Sequence, residues 1–241
     1  VDRLDHQREL LEASRSIAEE MNVSLQTRAV VGQDVGETIL EVLESEEADH
    51  AILGWRGSFA QNEYAFGPNL DALLTNVPVD VTLANFQKRP VGTVVALVGD
   101  GPNAPTAVRR SAEFATLAYE AEQPTLINIQ LTDRKAGDES IESGSTAMEQ
   151  GRETIERAAR QAGLNSGEYD ASVLVGETVE STVIDAIDER DLVCLGLSNQ
   201  SELLRDRSGS IAERIHDRVS CNVAIARGGR EKIGSNRDVD T

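Results

Sequence analysis

The chain has 241 residues, of which 39% are hydrophobic but only 3% aromatic, and its formal net charge is -19 at pH 7. This length is sufficient for one large domain or two of ordinary size, with an aliphatic core. So acidic a chain is a poor ligand for nucleic acid or an anionic membrane surface, and no apolar run approaches the ~20 residues that span a bilayer.

The charged residues and the cysteines indicate the cellular setting. Acidic residues outnumber basic ones by 42 to 23, and only Lys88, Lys135 and Lys232 among the basic residues are lysine. This composition predicts a protein adapted to a salt-rich (halophilic) cytoplasm, where salt screens the repulsion between carboxylates. Cys194 and Cys221 lie in apolar surroundings, which predicts buried free thiols, a reducing compartment and no metal site.

The first ninety residues predict the order α-β-α-β-α-β, with one weak strand. The chain starts at Val1 without methionine and opens with an amphipathic helix, so we expect a fragment of something longer. The predicted elements are a helix over RELLEASRSIAEEM (8–21), a strand over 23–32 ending in Gly32, a helix over 37–47, a strand over HAILGW (50–55), a helix over NLDALLTN (69–76) and a strand over VDVTLANF (79–86).

A polar stretch at 87–90 ending in proline predicts a boundary. Beyond it, strands and helices alternate throughout, which predicts a parallel sheet. The predicted elements are strand 91–100, helix 104–119, strand 123–131, a polar loop over 136–145, a helix leading to Gly163, strand 168–176 ending in Gly176, helix 177–189, strand 192–197, helix 210–218 and strand 222–229.

The two halves of the chain repeat each other. Thirteen positions separate Gly54 from Gly67 and also Gly196 from Gly209, and 142 positions separate Val81 from Val223. Such self-similarity predicts two related units. The first, residues 1–88, is incomplete because it has no counterpart of the leading β-α-β, whereas the second, residues 89–229, is complete. Residues 230–241 are predicted to form a polar, mobile tail.

Each unit carries a glycine-containing loop between a strand and a helix. In the first unit this loop is LGWRGSFAQNEYAFGPN (53–69). Backbone N–H groups at such a helix start can surround a phosphate, and Arg56 could add a charge. Pro68 fits the first helical turn but removes one N–H donor. A plain turn explains the same glycines, so their spacing alone leaves both interpretations open.

The order of elements and this loop resemble the universal stress protein family, whose nucleotide-binding members carry G-x2-G-x9-G-[ST] after the fourth strand. The first unit matches all three glycines, with Pro68 in place of the hydroxyl residue. The second unit has Asn199 in place of the middle glycine. The matching residues are Gly54, Gly57 and Gly67 in the first unit, and Gly196, Gly209 and Ser210 in the second.

The resemblance implies an α/β fold of the adenine nucleotide alpha hydrolase-like kind, with a parallel sheet in each unit. It also implies a non-enzymatic protein whose ligand is ATP or AMP with Mg. In that family an aspartate ends the first strand beside the nucleotide, and Asp100 matches it, while Gly32 and Gly176 would line the ribose. The candidate binding residues are Gly32, Gly54, Arg56, Gly57, Gly67, Asn69, Asp100, Gly101, Gly176, Gly196, Asn199, Gly209 and Ser210.

The same resemblance implies the partners. The last strands of the two units, 79–86 and 222–227, are expected to pair near a pseudo-twofold axis, within one chain or in a homodimer. The LGW at 53–55 is similar to tandem cytosolic tails of archaeal amino-acid and cation transporters, which predicts a regulatory tail that contacts its own transporter's membrane domain. The alternative is a free-standing cytoplasmic stress protein that binds ATP or hydrolyses it slowly.

A dinucleotide-binding oxidoreductase is a more remote alternative. Residues 99–104 fit G-x-G-x-x-[GA] after a strand. An NAD site of this kind needs an acidic residue at the end of the next strand to hold the ribose. That strand ends Ile129-Gln130-Leu131. The three histidines, His6, His50 and His216, are scattered along the chain and imply no catalytic pair.

Overall fold

The structure, a computed structural model, describes residues 2–55, 68–86, 91–119, 123–131, 140–187, 190–197 and 221–229. Seven strands of these ranges form one mostly parallel sheet. Helices cover both faces of that sheet. The predicted α/β class is therefore confirmed.

The elements are numbered in chain order. The helices are α1 (Asp2–Glu20), α2 (Val35–Ser45), α3 (Pro68–Asn76), α4 (Ala104–Ala115), α5 (Ser140–Ala162) and α6 (Val179–Ile187). The strands are β1 (His50–Gly54), β2 (Asp80–Asn85), β3 (Val94–Leu97), β4 (Thr125–Leu131), β5 (Asp170–Gly176), β6 (Leu192–Gly196) and β7 (Asn222–Arg227). None of the helices in the described ranges is long and apolar enough to cross a membrane.

The strand order is β1-β2-β7-β6-β3-β4-β5. The neighbours pair in parallel except β2 and β7, which are antiparallel and join the N-terminal segment (2–86) to the C-terminal segment (91–229). At the centre of this pair Leu83 lies opposite Ile225. The predicted pairing of the two last strands is thus confirmed within one chain. Each strand covers the other's edge, which would otherwise expose unpaired backbone groups.

Alternate side chains of the central strand β6 enter two different cores. On one face Val193 and Leu195 of β6 pack in a core with side chains of α2, α3 and α6. On the other face Leu192 and Cys194 pack in a core with α4 and α5. Cys194 and Cys221 are buried free thiols, as predicted. Burial raises the pKa of the Cys194 thiol, so this group stays protonated and unreactive.

The strand predicted over 23–32 is wrong, because these residues are irregular in the structure. In the C-terminal segment the corresponding stretch is β5, which pairs with β4 over seven residues. Among the described elements of the N-terminal segment no strand occupies the place of β4. Alternating apolar residues form a strand only where a neighbour accepts their backbone hydrogen bonds.

Two helix bounds also differ from the predictions. The polar loop expected over 136–145 gives way to α5 from Ser140 onward, since Glu, Ala and Met outweigh the serines and Gly144 in helix propensity. Helix α4 ends at Ala115 instead of 119. Leu117 and Tyr119 beyond it are exposed, so no packing favours a further helical turn there.

A partly buried polar network joins α4 to the strands of the N-terminal segment. The side chain of Arg110 on α4 lies 3.5 Å from a carboxylate oxygen of Asp80 on β2, and it also pairs with Glu113. Arg109 contacts the same Asp80 oxygen at 3.0 Å. The other oxygen of Asp80 accepts a hydrogen bond from the Gly229 N–H at 2.9 Å. One carboxylate therefore holds α4 and the end of β7 against β2.

The same network fixes the tautomer of His50 on β1. Arg110 is 3.0 Å from His50 Nδ1. A guanidinium only donates, so Nδ1 accepts and Nε2 carries the proton. Nε2 then donates to the Thr82 hydroxyl at 2.9 Å. Burial, and secondarily the Arg110 charge, lowers the pKa of His50, whereas Asp80 opposes this. The imidazole is therefore held neutral.

We expect His50 to lower the free energy of unfolding as the pH falls. Because its folded pKa lies below the ordinary 6.5, the unfolded chain takes up the proton first as the pH falls. The stabilising contribution is complete above pH 6.5 and is lost below it. His50→Gln keeps an acceptor for Arg110 and a donor for Thr82 but does not titrate.

Urea unfolding of both proteins between about pH 7.5 and 5.5 tests this. The wild-type free energy of unfolding, minus that of the variant, should fall as the solution is acidified. Taking the difference cancels the titration of the carboxylates, which the two proteins share. A difference that is constant over this range would contradict the assignment of a neutral His50.

Candidate functional site

A cavity of about 250 Å³ opens where β3 turns into α4 and faces α5. It lies at the carboxyl end of β3, the edge where parallel α/β sheets bind their ligands. Its walls combine glycine backbone, small apolar side chains and three polar groups. The lining residues are Gly99, Asp100, Gly101, Pro102, Ala104, Pro105, Arg157, Ala158 and Gln161.

Asn103 fixes the turn that forms this cavity. It stands at the N-cap position of α4 but makes no side-chain capping bond. Its amide nitrogen instead donates to the Leu197 carbonyl at 2.6 Å, and its amide oxygen accepts from the Gly228 N–H at 2.8 Å. The turn is thereby fastened to the ends of β6 and β7. Sequence analysis missed this residue, although an asparagine just before Ala-Pro is typical of a helix start.

Asp100 lies at the mouth of the cavity. Its side chain is 83% exposed and pairs with Arg157 of α5. The Thr154 hydroxyl lies 3.4 Å from the same carboxylate oxygen. An ion pair this exposed adds little stability, so either group can exchange its partner for a ligand at small cost.

The adjacent strand β4 presents amides at this edge of the sheet. Buried Asn128 donates to the Val98 carbonyl at 2.8 Å, and the Gln130 amide donates to Asn128 at 2.7 Å. The first bond supports β3 just before the turn. The described part of β4 ends at Leu131, and neither this residue nor Gln130 is the carboxylate that an NAD ribose would need.

Gly196 ends β6 directly beneath the start of α4. A Cβ atom here would lie 2.9 Å from the carbonyl carbon and oxygen of Asn103. Glycine therefore permits the helix to approach the strand. A Cβ atom on Gly54, at the end of β1, would meet nothing within 4 Å. The two glycines match in sequence, but among the described residues only Gly196 has a helix against it.

Gly32 and Gly176 each lie against a threonine of the following helix. A Cβ atom would stand 1.8 Å from the Thr38 hydroxyl oxygen and 1.9 Å from that of Thr182, respectively. The Thr182 hydroxyl donates to the Thr178 carbonyl at 2.8 Å, and Thr38 makes the corresponding bond at 2.6 Å. This packing accounts for both glycines without a ligand. Their role at a ribose stays a prediction.

Gly176→Ala should lower the free energy of unfolding by roughly 1–3 kcal/mol, because the added methyl overlaps the Thr182 side chain. Thr182→Ala removes the overlapping hydroxyl. In a double-mutant cycle measured by urea unfolding, the double variant should therefore be more stable than the sum of the two single effects predicts. Simple additivity would show that the contact with Thr182 is not the reason for the glycine.

The structure brings together only some of the predicted site residues. Asp100 and Gly101 line the cavity, and Gly196 contacts the turn beside it. Asn69 lies in α3, whose backbone alone is described at that position. Outside the described residues lie Arg56, Gly57, Gly67, Asn199, Gly209, Ser210 and the tail 230–241. Within the described ranges, no cluster of three or more His, Cys, Asp or Glu side chains could hold a metal ion.

Comparison with known proteins identifies the fold. A protein of Pseudomonas aeruginosa PAO1, described as functionally unknown, is 16% identical with a TM-score of 0.55, over 92% of this chain and 78% of its own. A universal stress protein from Archaeoglobus fulgidus DSM 4304 is also 16% identical with a TM-score of 0.55, over 96% of this chain and 81% of its own. No curated protein matches the sequence.

At this level of identity the two structures establish the fold alone. The sequence itself matches the model of the Universal stress protein family over residues 2–85. The chain therefore carries a universal stress protein family domain at residues 2–85, within an α/β fold shared with a solved universal stress protein.

Proposed function

We propose that the chain is a non-enzymatic regulatory module of two related units that binds an adenine nucleotide at the cavity between β3, α4 and α5. The observation that carries this proposal is the cavity itself, which opens at the carboxyl end of a parallel strand beside Gly101 and the first turn of α4. Phosphates would lie on the loop after β6, near Gly209 and Ser210.

The lining of the cavity suits one part of a nucleotide. Its volume of about 250 Å³ lies below the roughly 300–1,000 Å³ of pockets that enclose whole drug-sized ligands. The exposed walls are mostly polar, with Pro102 offering a flat apolar contact to a base, while Asp100 can accept a hydrogen bond from an exocyclic amine. Arg157 can stack on a base or pair with a phosphate once it leaves Asp100.

Three structural correspondences support two units, 1–88 and 89–229. First, β1 pairs with β2 in the same register as β6 with β7, with every residue shifted by 142 positions. Second, the Trp55 N–H donates to the Ala84 carbonyl at 2.9 Å, and Leu197 repeats this bond to Ala226 at 2.8 Å. Third, Leu83 pairs with Ile225, which lies 142 positions later and is therefore its counterpart in the other unit. A residue that pairs with its own counterpart lies on a twofold axis between the units.

The context of such a module would be a larger assembly. We place it as the cytosolic regulatory tail of a membrane transporter, on the strength of the resemblance at 53–55. The acidic composition accords with a halophilic host. A free-standing stress protein with the same nucleotide site is the alternative, and the full-length gene product distinguishes the two.

Calorimetry with Mg-ATP and Mg-AMP tests the nucleotide site. Gly101→Leu should abolish the heat of binding because its side chain occupies the mouth of the cavity. A Cβ atom on Gly101 meets nothing within 4 Å, so the fold should tolerate the change. Gly167→Leu is the matched control, since Gly167 is equally open but does not line the cavity.

Two further variants locate the phosphates. Gly209→Val should weaken binding if they lie on the second loop, and Gly57→Val if they lie on the first. Binding that survives Gly101→Leu would place the base elsewhere. No binding by the unmodified protein would reject the proposed function.

A further inference from the structure

Helix α1 exposes the side chains that its counterpart buries. Both helices end in the same cap, in which the Val23 N–H bonds to the Ala18 carbonyl at 2.8 Å and the Leu164 N–H to Ala159 at 2.9 Å. This match aligns α1 with α5 at a spacing of 141 residues. Ile17, half exposed, then corresponds to Ala158, which is buried. Leu10 of α1 and Met21, just after its end, are exposed as well.

Strand β1 shows the same contrast with β6. Ile52 is 59% exposed, whereas its counterpart Cys194 is fully buried. Within the described structure β1 has one strand neighbour, β2, while β6 lies between β7 and β3. The face of Gly54 is open, whereas that of Gly196 contacts the start of α4.

Residues 23–31 complete this uncovered surface. Residues 26–31 of this stretch correspond to the first six residues of β5, because Gly32 packs on Thr38 as Gly176 packs on Thr182, but they are irregular. Their exposed apolar side chains are Val23, Leu25, Val30 and Val31, the last of which is 91% exposed. We call the residues 10–31 and 50–54 together the open face.

One continuous element contacts the structural counterparts of the open face. Helix α5 packs against α4 and β4. Strand β6 pairs with β3 and packs under α4, and β5 pairs with β4. The element β3–α4–β4, residues 91–131, therefore accounts for the burial of Ala158 and Cys194 and for the strand pairing of β5, although Val175 of β5 is itself 40% exposed. The longest internal stretch outside the described residues, 198–220, is too short to supply a second element of this length.

We infer that the open face binds a β-strand–α-helix–β-strand element of the same build, supplied by a polypeptide segment outside these 241 residues. This inference rests on the two-unit part of the proposed function but not on nucleotide binding. The first strand would add to β1 in parallel and present small or β-branched residues, as Val94–Leu97 does to β6. The helix would start over Gly54, and the second strand would order residues 25–31.

A fusion protein tests this docking. Because α1 matches α5 at a spacing of 141 residues, Val1 corresponds to Glu142. A copy of residues 91–141 joined directly before Val1 therefore precedes α1 as residues 91–141 precede the rest of α5. In hydrogen exchange the amides of 25–31 and 50–54 should be protected at least about tenfold more in the fusion than in the unfused chain. Nucleotide binding is not needed for this readout, so the two proposals can fail separately.

Gly54→Leu supplies the matched control. In the unfused chain the new side chain meets open space, and the melting temperature should not change. In the fusion it should remove the added protection, because it blocks the close approach of the copied helix. Equal exchange in fused and unfused chains, or protection that Gly54→Leu leaves intact, would overturn the inference. It would also fail if the unfused chain were a dimer already protected at 50–54, since a second copy would then cover the strand.

Discussion

Replacing Asp80 by alanine is expected to lower the free energy of unfolding by about 3 kcal/mol, a loss typical of breaking a buried ion pair. The side chains of Asp80 and Arg110 are only 18% and 10% exposed. Without the carboxylate, Arg110 remains buried beside His50, and Glu113 is the one described carboxylate left to balance its charge. The Gly229 N–H also loses its acceptor. Urea unfolding measures the loss.

Asp100→Ala is the matched control for this experiment. Asp100 also pairs with an arginine, but its side chain is 83% exposed. Water screens such a pair, and its removal should cost less than about 1 kcal/mol. Equal losses in the two variants would show that burial does not strengthen the network at Asp80.

The sequence predicted the sheet well where each strand has neighbours on both sides. Strand β6 is apolar over its whole length, and β7 is apolar between Asn222 and Arg227, as expected of strands covered on both faces. The apolar pattern at 23–32 predicts a strand just as that of β5 does, yet of these two stretches only β5 pairs with another strand. Local pattern specifies which residues can form a strand, whereas the presence of a partner decides whether they do.

The candidate site was predictable only in part, and for a related reason. A glycine in a sequence does not reveal what approaches it. Gly176 admits a threonine and Gly196 admits a helix, although both were interpreted as nucleotide contacts. The contribution of Asn103 depends on carbonyl and N–H groups from two distant strands. No local pattern could indicate those partners. The turn at Gly99–Gly101, in contrast, could be predicted because two glycines follow an apolar strand.

The network at Asp80 could not be predicted from the sequence either. It combines His50 and Asp80 from the N-terminal segment with two arginines of α4. Arg110 is 60 positions from His50 along the chain, and Arg109 is 29 positions from Asp80. In the sequence each of these residues is of a type that often lies on the protein surface. Only the antiparallel pairing of β2 and β7 brings α4 over both strands. The network is therefore a consequence of how the two segments join.

The melting temperature should rise steeply with salt, by about 10 °C between 0.1 M and 1 M KCl, if screening is worth about 3 kcal/mol to a chain of this size. The formal net charge is -19. The Debye length falls from ~10 Å at 0.1 M to ~3 Å at 1 M, so salt removes most of the repulsion between surface carboxylates. Repulsion of this kind destabilises the compact state more than the unfolded chain, in which the charges lie farther apart.

The triple variant Glu41→Gln, Glu149→Gln, Glu153→Gln separates this cause from a general effect of salt on apolar burial. All three side chains are exposed, and the substitutions remove negative charge without changing shape. If repulsion sets the stability, the variant should melt higher than the wild type at 0.1 M KCl, and the two curves should converge at 1 M. Parallel curves would mean that salt acts through the hydrophobic core, and the acidity of the chain would then need another explanation.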